Sequence, residues 1–269
     1  MTVSLMWRAA LVGLLAVTLQ LAGCGSTPKD ESSETTAERL YKEAREDMES
    51  GSYERAIKSL ERVESLAAGS MLAQQALLDT AYLNWKSGER TPALTAIDRF
   101  IKLNPSSPAL DYALYLRGVI NFIDNLGLLG SYVGQDLSER DQRASREAYQ
   151  SFKQLVDQFP NSRYVPDARA RMNFIVNSLA SYEVHVARYY FRRGAYVAAA
   201  ARAQAAVAEY QQSPAAEEAL YILVQSYDKL QLTTLRDDTD RVLRKNFPDS
   251  NFLSQGLAGR GKAPWWKLW

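Results

Sequence analysis

Few side chains in this sequence have the type and spacing that catalysis or metal binding requires. There is one histidine, His185, between Val184 and Val186, and one cysteine, Cys24. The sequence contains no HExxH zinc motif, no paired cysteines, no phosphate-binding glycine loop and no Gly-x-Ser-x-Gly elbow. Carboxylates are plentiful, but no spacing selects two of them as an acid and a base. We therefore predict a protein that is not an enzyme and that binds no metal ion or dissociable cofactor.

Cys24 is the residue whose surroundings indicate covalent chemistry. Arg8 precedes an apolar run, residues 9–21, which is too short to span a bilayer of roughly 30 Å but suits a secretory signal. The run ends in Leu21-Ala22-Gly23-Cys24, which resembles the lipobox of bacterial lipoproteins. That resemblance implies cleavage before Cys24, followed by S-diacylglycerol and N-acyl groups on this residue. The alternative is an ordinary signal peptide that ends near a cysteine.

The predicted lipid would tether the mature chain to a membrane. Each buried acyl CH₂ contributes about 0.8 kcal/mol, so several chains hold firmly where one short chain holds reversibly. Gly25, rather than Asp, follows the cysteine. By resemblance to bacterial sorting signals this favours the outer membrane, with inner-membrane retention as the alternative. We predict a signal peptide over residues 1–23, and the lipidated cysteine with a polar flexible tether over residues 24–34.

The composition of the remaining chain favours helices and provides no net positive charge that would attract nucleic acid. Hydrophobic residues make up 46% and charged residues 23% of the sequence, which is ordinary for a folded soluble body. The net charge of +1 predicts no nucleic-acid partner. Alanine, leucine, arginine, glutamate, glutamine and lysine dominate, and these residue types stabilise helices.

Helical hairpins repeat along the sequence. Gly51-Ser-Tyr-Glu-Arg-Ala56 and Gly88-Glu-Arg-Thr-Pro-Ala93 each place a small residue shortly after a glycine turn, and the two alanines are 37 residues apart. Further copies surround Ala148 and Ala199. This spacing is typical of the tetratricopeptide pattern, in which two antiparallel helices occupy about 34 residues. We predict an all-α, right-handed superhelical solenoid of about five helical hairpins, with a generic helical bundle as the alternative.

Proline positions and one irregular spacing divide this array. Pro105, Pro160 and Pro248 each predict a helix end, because proline cannot continue a helix. Gly118 and Ala148 are 30 residues apart where the pattern expects about 12, so some 18 extra residues form an insertion. The predicted ranges are 35–122 for repeats 1 and 2 with the first helix of repeat 3, 123–142 for the insertion loop, 143–253 for the C-terminal repeats, and 254–269 for a Trp-rich tail.

A row of aromatic residues is predicted on the inner surface of the repeats. The first helix of each repeat lines that surface, and Leu40, Leu77 and Leu114 occupy equivalent core positions. Tyr and Trp offer a large contact area at small entropic cost. We predict that an extended, partly aromatic peptide binds there; alternatively, the rings only fill the core between repeats. Counting from the three leucines gives the candidate residues Tyr41, Tyr82, Trp85, Tyr115 and Phe122.

One block of sequence resembles a known family. Residues 96–118, which run from Ala96-Ile-Asp-Arg-Phe through Asn104-Pro105 to Asp111-Tyr-Ala-Leu-Tyr-Leu-Arg-Gly118, look like the signature of the BamD (ComL) family of β-barrel assembly lipoproteins. Residues 132–141, 159–162 and 189–202 are also similar to that family. The resemblance covers residues 21–253.

This resemblance implies a non-catalytic scaffold at the periplasmic face of the outer membrane. Its partners would be BamA and companion lipoproteins, bound through the C-terminal half, and unfolded outer-membrane proteins, received by the N-terminal repeats. Arg202 matches the family's arginine that contacts BamA. The alternatives are a pilotin-like repeat lipoprotein for secretin assembly and a periplasmic cell-wall enzyme or its regulator. No role transfers to residues 265–269.

Overall fold

The computed structural model describes residues 33–122 and 142–259, and within them it contains helices and no strand. The predicted all-α fold of tetratricopeptide-type hairpins is confirmed. Cys24, most of the predicted insertion loop (residues 123–141) and the tail residues 265–269 lie outside the described residues. The helices are α1 (Ser33–Glu49), α2 (Tyr53–Leu66), α3 (Met71–Lys86), α4 (Arg90–Leu103), α5 (Leu110–Asn121), α6 (Gln142–Gln158), α7 (Val165–Arg192), α8 (Tyr196–Glu209), α9 (Ala215–Lys229), α10 (Thr233–Asn246) and α11 (Asn251–Gln255), followed by a 3₁₀ turn, Gly256–Gly259.

The chain divides into two compact units, with the boundary between Ala76 and Leu77 in α3. In the first unit, α1 and α2 pack as an antiparallel hairpin. Leu40 and Ala44, one turn apart on α1, and Ala56 and Leu60, one turn apart on α2, are buried. This spacing of four residues places each pair on one face of its helix, which is why the two faces close on each other.

The second unit contains the rest of α3 and all later helices. The hairpin of α5 and α6 has the tightest helix crossing that a glycine makes in the described ranges. A Cβ atom added to Gly118 on α5 would lie 2.4 Å from Cε1 of Phe152 on α6. A residue without a Cβ atom is therefore required at this crossing by the Phe152 ring, which is fully buried.

The helix ends follow the predicted prolines. The last helical residues are Leu103, Gln158 and Asn246, each two positions before a proline. Within the hairpins, Gly51, Gly88 and Gly194 adopt left-handed backbone angles, with φ of 78°, 82° and 77°. The corresponding turn between α9 and α10 uses a residue with a Cβ atom, because Gln231 has φ of 59°.

The 28-residue helix α7 is the longest element of the described chain. It packs against α6, α8 and α9. Near its C-terminal end, Nε of Arg188 donates a hydrogen bond of 2.6 Å to Oε1 of Glu218 on α9, and both side chains are almost wholly buried. Of the helices in residues 33–122 and 142–259, α7 included, none is long and apolar enough to cross a membrane.

Candidate functional site

Two of the predicted aromatic residues pair near the end of α3. The ring centroids of Tyr82 and Trp85 are 5.8 Å apart, and both rings are half-buried. Nζ of Lys86 lies 5.8 Å from the centroid of the Tyr82 ring and 5.5 Å from that of Trp85. Both rings are therefore partly open to solvent, and a cation lies close to them.

A second group of rings forms where α5 meets the residue that precedes α7. The ring of Tyr115 stacks on that of Tyr164 at 4.8 Å, and the Tyr112 ring lies 5.5 Å from the same Tyr164. The guanidinium of Arg163 lies 4.8 Å from the centroid of Tyr164. Tyr82, Trp85 and Tyr112 pack against the same buried cluster, so the first pair and this group adjoin each other.

A third group closes the other end of the row. Phe122, at the end of α5, meets Phe174 of α7 edge to face at 5.6 Å, and Phe174 is 43% exposed. The guanidinium of Arg171 lies 4.8 Å from the Phe122 centroid. Arg171 also donates to Oδ2 of Asp167 at 2.6 Å, and this oxygen accepts a second hydrogen bond of 2.8 Å from the Tyr115 hydroxyl. We call the seven rings of the three groups the aromatic row: Tyr82, Trp85, Tyr112, Tyr115, Phe122, Tyr164 and Phe174.

Burial and hydrogen bonding shift the pKa values of the row. Burial, with a further contribution from Tyr164, raises the pKa of Tyr112 to about 12. Burial and the hydrogen bond to Asp167 also raise the pKa of Tyr115. Burial raises the pKa of the Asp167 carboxyl, but the hydrogen bonds from Arg171 and Tyr115 outweigh it and keep that pKa below its ordinary value. At neutral pH the phenols of Tyr112 and Tyr115 are thus neutral, and the Asp167 carboxylate beside them is charged.

The structure brings together four of the five predicted groove residues. Tyr82, Trp85, Tyr115 and Phe122 all belong to the row in the second unit. Tyr41 is half-buried on α1 and belongs to the first unit. The three leucines used to find these residues are all buried, as predicted.

The sequence analysis missed the part of the row that α7 contributes. Adding the 18-residue insertion to a period of about 34 residues gives a step of about 52. This step leads from Tyr115 to Asp167, which are hydrogen-bonded, and from Phe122 to Phe174, which are in ring contact. The signal was present, but the equivalent of the anchoring leucines at this step is Pro166, which is exposed and carries no core signature.

Arg202 lies on α8, away from the aromatic row. Its side chain is 47% exposed, and its Nη1 donates to Oε2 of Glu183 on α7 at 3.1 Å. The Glu183 side chain is only 8% exposed. The hydrogen bond and charge of Glu183 raise the pKa of Arg202, so the guanidinium stays protonated at any physiological pH.

The described residues place rings and charged groups at the surface. No group of three or more histidine, cysteine, aspartate or glutamate side chains within residues 33–122 and 142–259 is arranged to hold a metal ion. His185 is exposed on α7. The aromatic row provides an apolar surface that is bordered by charged side chains. Separately, α8 presents the half-exposed side chain of Arg202.

Comparison with known proteins assigns the family. A family model described as "Outer membrane lipoprotein" matches residues 33–254. The chain is 47% identical to the outer membrane protein assembly factor BamD of Neisseria meningitidis serogroup B, over 95% of this chain and 98% of that protein. The chain belongs to the BamD family. BamD-family proteins of Neisseria gonorrhoeae and Xylella fastidiosa are 45% and 37% identical, covering 95% and 90% of this chain and 98% and 83% of theirs. This confirms the resemblance carried by residues 96–118.

Proposed function

We propose that this BamD-family chain is the non-catalytic scaffold of an outer-membrane β-barrel assembly complex. In this role it binds BamA and companion lipoproteins and receives unfolded outer-membrane proteins before their insertion. The acylated Cys24 would tether it at the periplasmic face of the outer membrane. The observation that carries the proposal is the aromatic row, which in a family of assembly factors supplies a surface for unfolded, aromatic-rich chains.

The row suits such clients for a physical reason. A Tyr or Trp side chain loses little conformational entropy on binding, and rings that already pack on one another lose less still. The exposed parts of Phe174 and of the Tyr82–Trp85 pair can therefore accept apolar side chains at a small entropic cost. Lys86, Arg163 and Arg171 add cations that can meet the carboxylates of an incoming chain.

The test is the binding of a fluorescent peptide with the C-terminal strand sequence of an outer-membrane protein to the full lipidated chain in detergent. Tyr82→Ala combined with Trp85→Ala should weaken binding by at least about tenfold, because hot-spot aromatics typically contribute more than 1 kcal/mol each. Tyr189→Ala is the matched control, because Tyr189 is 52% exposed but lies outside the row. Unchanged affinity in the double variant, with an unchanged circular dichroism spectrum, would remove the row from the proposal.

The partner is tested separately by co-purification. Arg202→Glu should abolish recovery of BamA, because it reverses the charge of a half-exposed side chain at the proposed contact. Arg62→Glu, which changes an exposed arginine of α2, is the control and should leave recovery intact. Recovery of a secretin multimer instead of BamA with the unmodified chain would favour the pilotin-like alternative.

A further inference from the structure

The residues of α8 next to Arg202 have small side chains. Ala201, which directly precedes Arg202, is exposed. Ala198 and Ala205, about one turn away on either side, are half-buried. Short side chains allow another protein backbone to approach closely, and Arg202 and Glu209, two turns later, are the charged groups that α8 carries on this side.

The carboxylate of Glu183 lies beneath this face and holds one end of the guanidinium. A buried carboxylate is costly unless it is paired, and within the described chain the hydrogen bond that Glu183 accepts comes from Nη1 of Arg202. An arginine has five N–H donors in a fixed plane. Because Glu183 engages Nη1, the plane of the guanidinium is set while Nε and Nη2 make no hydrogen bond with the described residues.

A second ion pair of α7 differs from the Glu183–Arg202 pair in the exposure of its arginine. Five residues after Glu183, Arg188 pairs with Glu218, and the two side chains are 6% and 11% exposed. In the Glu183–Arg202 pair the acid is equally buried, but 47% of the arginine side chain is exposed. The closed pair can meet no partner, whereas the open pair presents a fixed guanidinium at the surface.

We propose that Glu183 is a positioning residue that orients Arg202 toward a carboxylate of the partner protein. The proposal rests on the function proposed above, in which Arg202 contacts BamA, and adds the residue that orients the guanidinium for that contact. The partner would present an acidic side chain on a surface flat enough to pack against the alanines of α8. Arginine has many rotamers, and fixing one of them before binding leaves less entropy to lose on binding.

The orientation of Arg202 by Glu183 should strengthen binding, whereas the negative charge of Glu183 should weaken it. These opposite effects make the proposal testable. Glu183 partly neutralises Arg202 and so weakens its attraction for an acidic partner. Salt screens that long-range attraction at a half-exposed side chain, whereas the orientation set by a hydrogen bond is not screened. We therefore expect orientation to dominate at physiological ionic strength.

The experiment is a double-mutant cycle on the affinity of the full lipidated chain for detergent-solubilised BamA. Glu183→Gln and Arg202→Ala should each weaken binding, Glu183→Gln by about tenfold, which lies within the usual coupling of residues in contact. In the Arg202→Ala background, Glu183→Gln should change the affinity less than about twofold, because a positioning residue has nothing left to orient. Glu183→Met, which removes the buried charge and keeps the volume, should repeat both results even if the glutamine variant folds poorly.

Three outcomes would overturn the inference: unchanged affinity in Glu183→Gln, tighter binding in Glu183→Gln, or fully additive losses in the double variant. Tighter binding would mean that neutralisation outweighs orientation. If Arg202→Ala itself binds BamA normally, the proposed contact fails, and that failure is distinct from the other three. Glu218→Gln is the matched control. It alters the buried pair between Arg188 of α7 and Glu218 of α9, and it should leave BamA affinity unchanged in folded protein.

Discussion

The first part of α7 contributes to a surface of rings, whereas its last part carries ion pairs into the packing against α8 and α9. In the aromatic row, apolar area lies at the surface and the charges of Asp167 and Arg171 stand at its border. Around α8 and α9 the arrangement is reversed, because the acids are buried and the exposed face is rich in alanine. Rings that pack on one another keep a shape with little directional bonding, while buried ion pairs specify which helices must meet. The two regions should therefore respond differently to substitution.

The largest effect should come from opening the closed ion pair. Glu218→Ala leaves the Arg188 guanidinium buried without its carboxylate, and breaking such a pair typically costs about 3–5 kcal/mol of unfolding free energy. Urea unfolding followed by circular dichroism measures the loss. Adding Arg188→Met should restore most of the stability, because it removes the unpaired charge. A loss below about 1 kcal/mol would show that the pair behaves like a surface salt bridge.

A smaller loss is expected behind the aromatic row. Gly118→Ala brings a Cβ atom within 2.4 Å of the Phe152 ring, and overpacking of this kind typically costs about 1–3 kcal/mol. The Phe152 ring also contacts Tyr115 and Phe122, at 6.1 and 6.4 Å between centroids, so the substitution should weaken client-peptide binding as well. Phe152→Leu in the same chain should recover part of the stability but not the binding. Equal recovery of both would mean that the row does not depend on this ring.

The smallest effect should appear only in alkali. The pKa of Tyr112 is about 12 in the folded chain and near 10 when unfolded, so its contribution to stability is complete below pH 10 and disappears as the pH rises from 10 to 12. Tyr112→Phe should therefore lose less unfolding free energy between pH 9 and pH 11 than the unsubstituted chain. Urea titrations at the two pH values give the comparison. If both chains lost the same unfolding free energy between pH 9 and pH 11, Tyr112 would have the same pKa in the folded and unfolded states.

The sequence predicted those features that depend on periodicity and on backbone chemistry. Helix ends before Pro105, Pro160 and Pro248 follow from the covalent structure of proline, and the burial of Leu40 and Leu77 follows from the repeat period. These are local rules, and tertiary packing did not override them here.

Features made by pairs of distant residues were not predictable in the same way. Glu183 and Glu218 look like ordinary surface acids in the sequence, because nothing local shows that the arginine each one needs lies 19 or 30 residues away on a neighbouring helix. Phe174 was not predicted for a different reason. Its equivalence to Phe122 follows only when the length of the insertion is added to the repeat period. Aromatic residues are thus easier to place from spacing than charged pairs are.

The unbroken length of α7 constrains how its two ends can move. At 1.5 Å per residue, Asp167 and Arg188 lie about 32 Å apart along the helix axis. A tilt of about 10° about the first residue would carry the second by roughly 6 Å, whereas the bond from Arg188 to Glu218 is 2.6 Å long. A tilt of α7 would therefore break the hydrogen bond from Arg188 to Glu218 unless α9 moved with it. We expect α7 and α9 to move together as a rigid body.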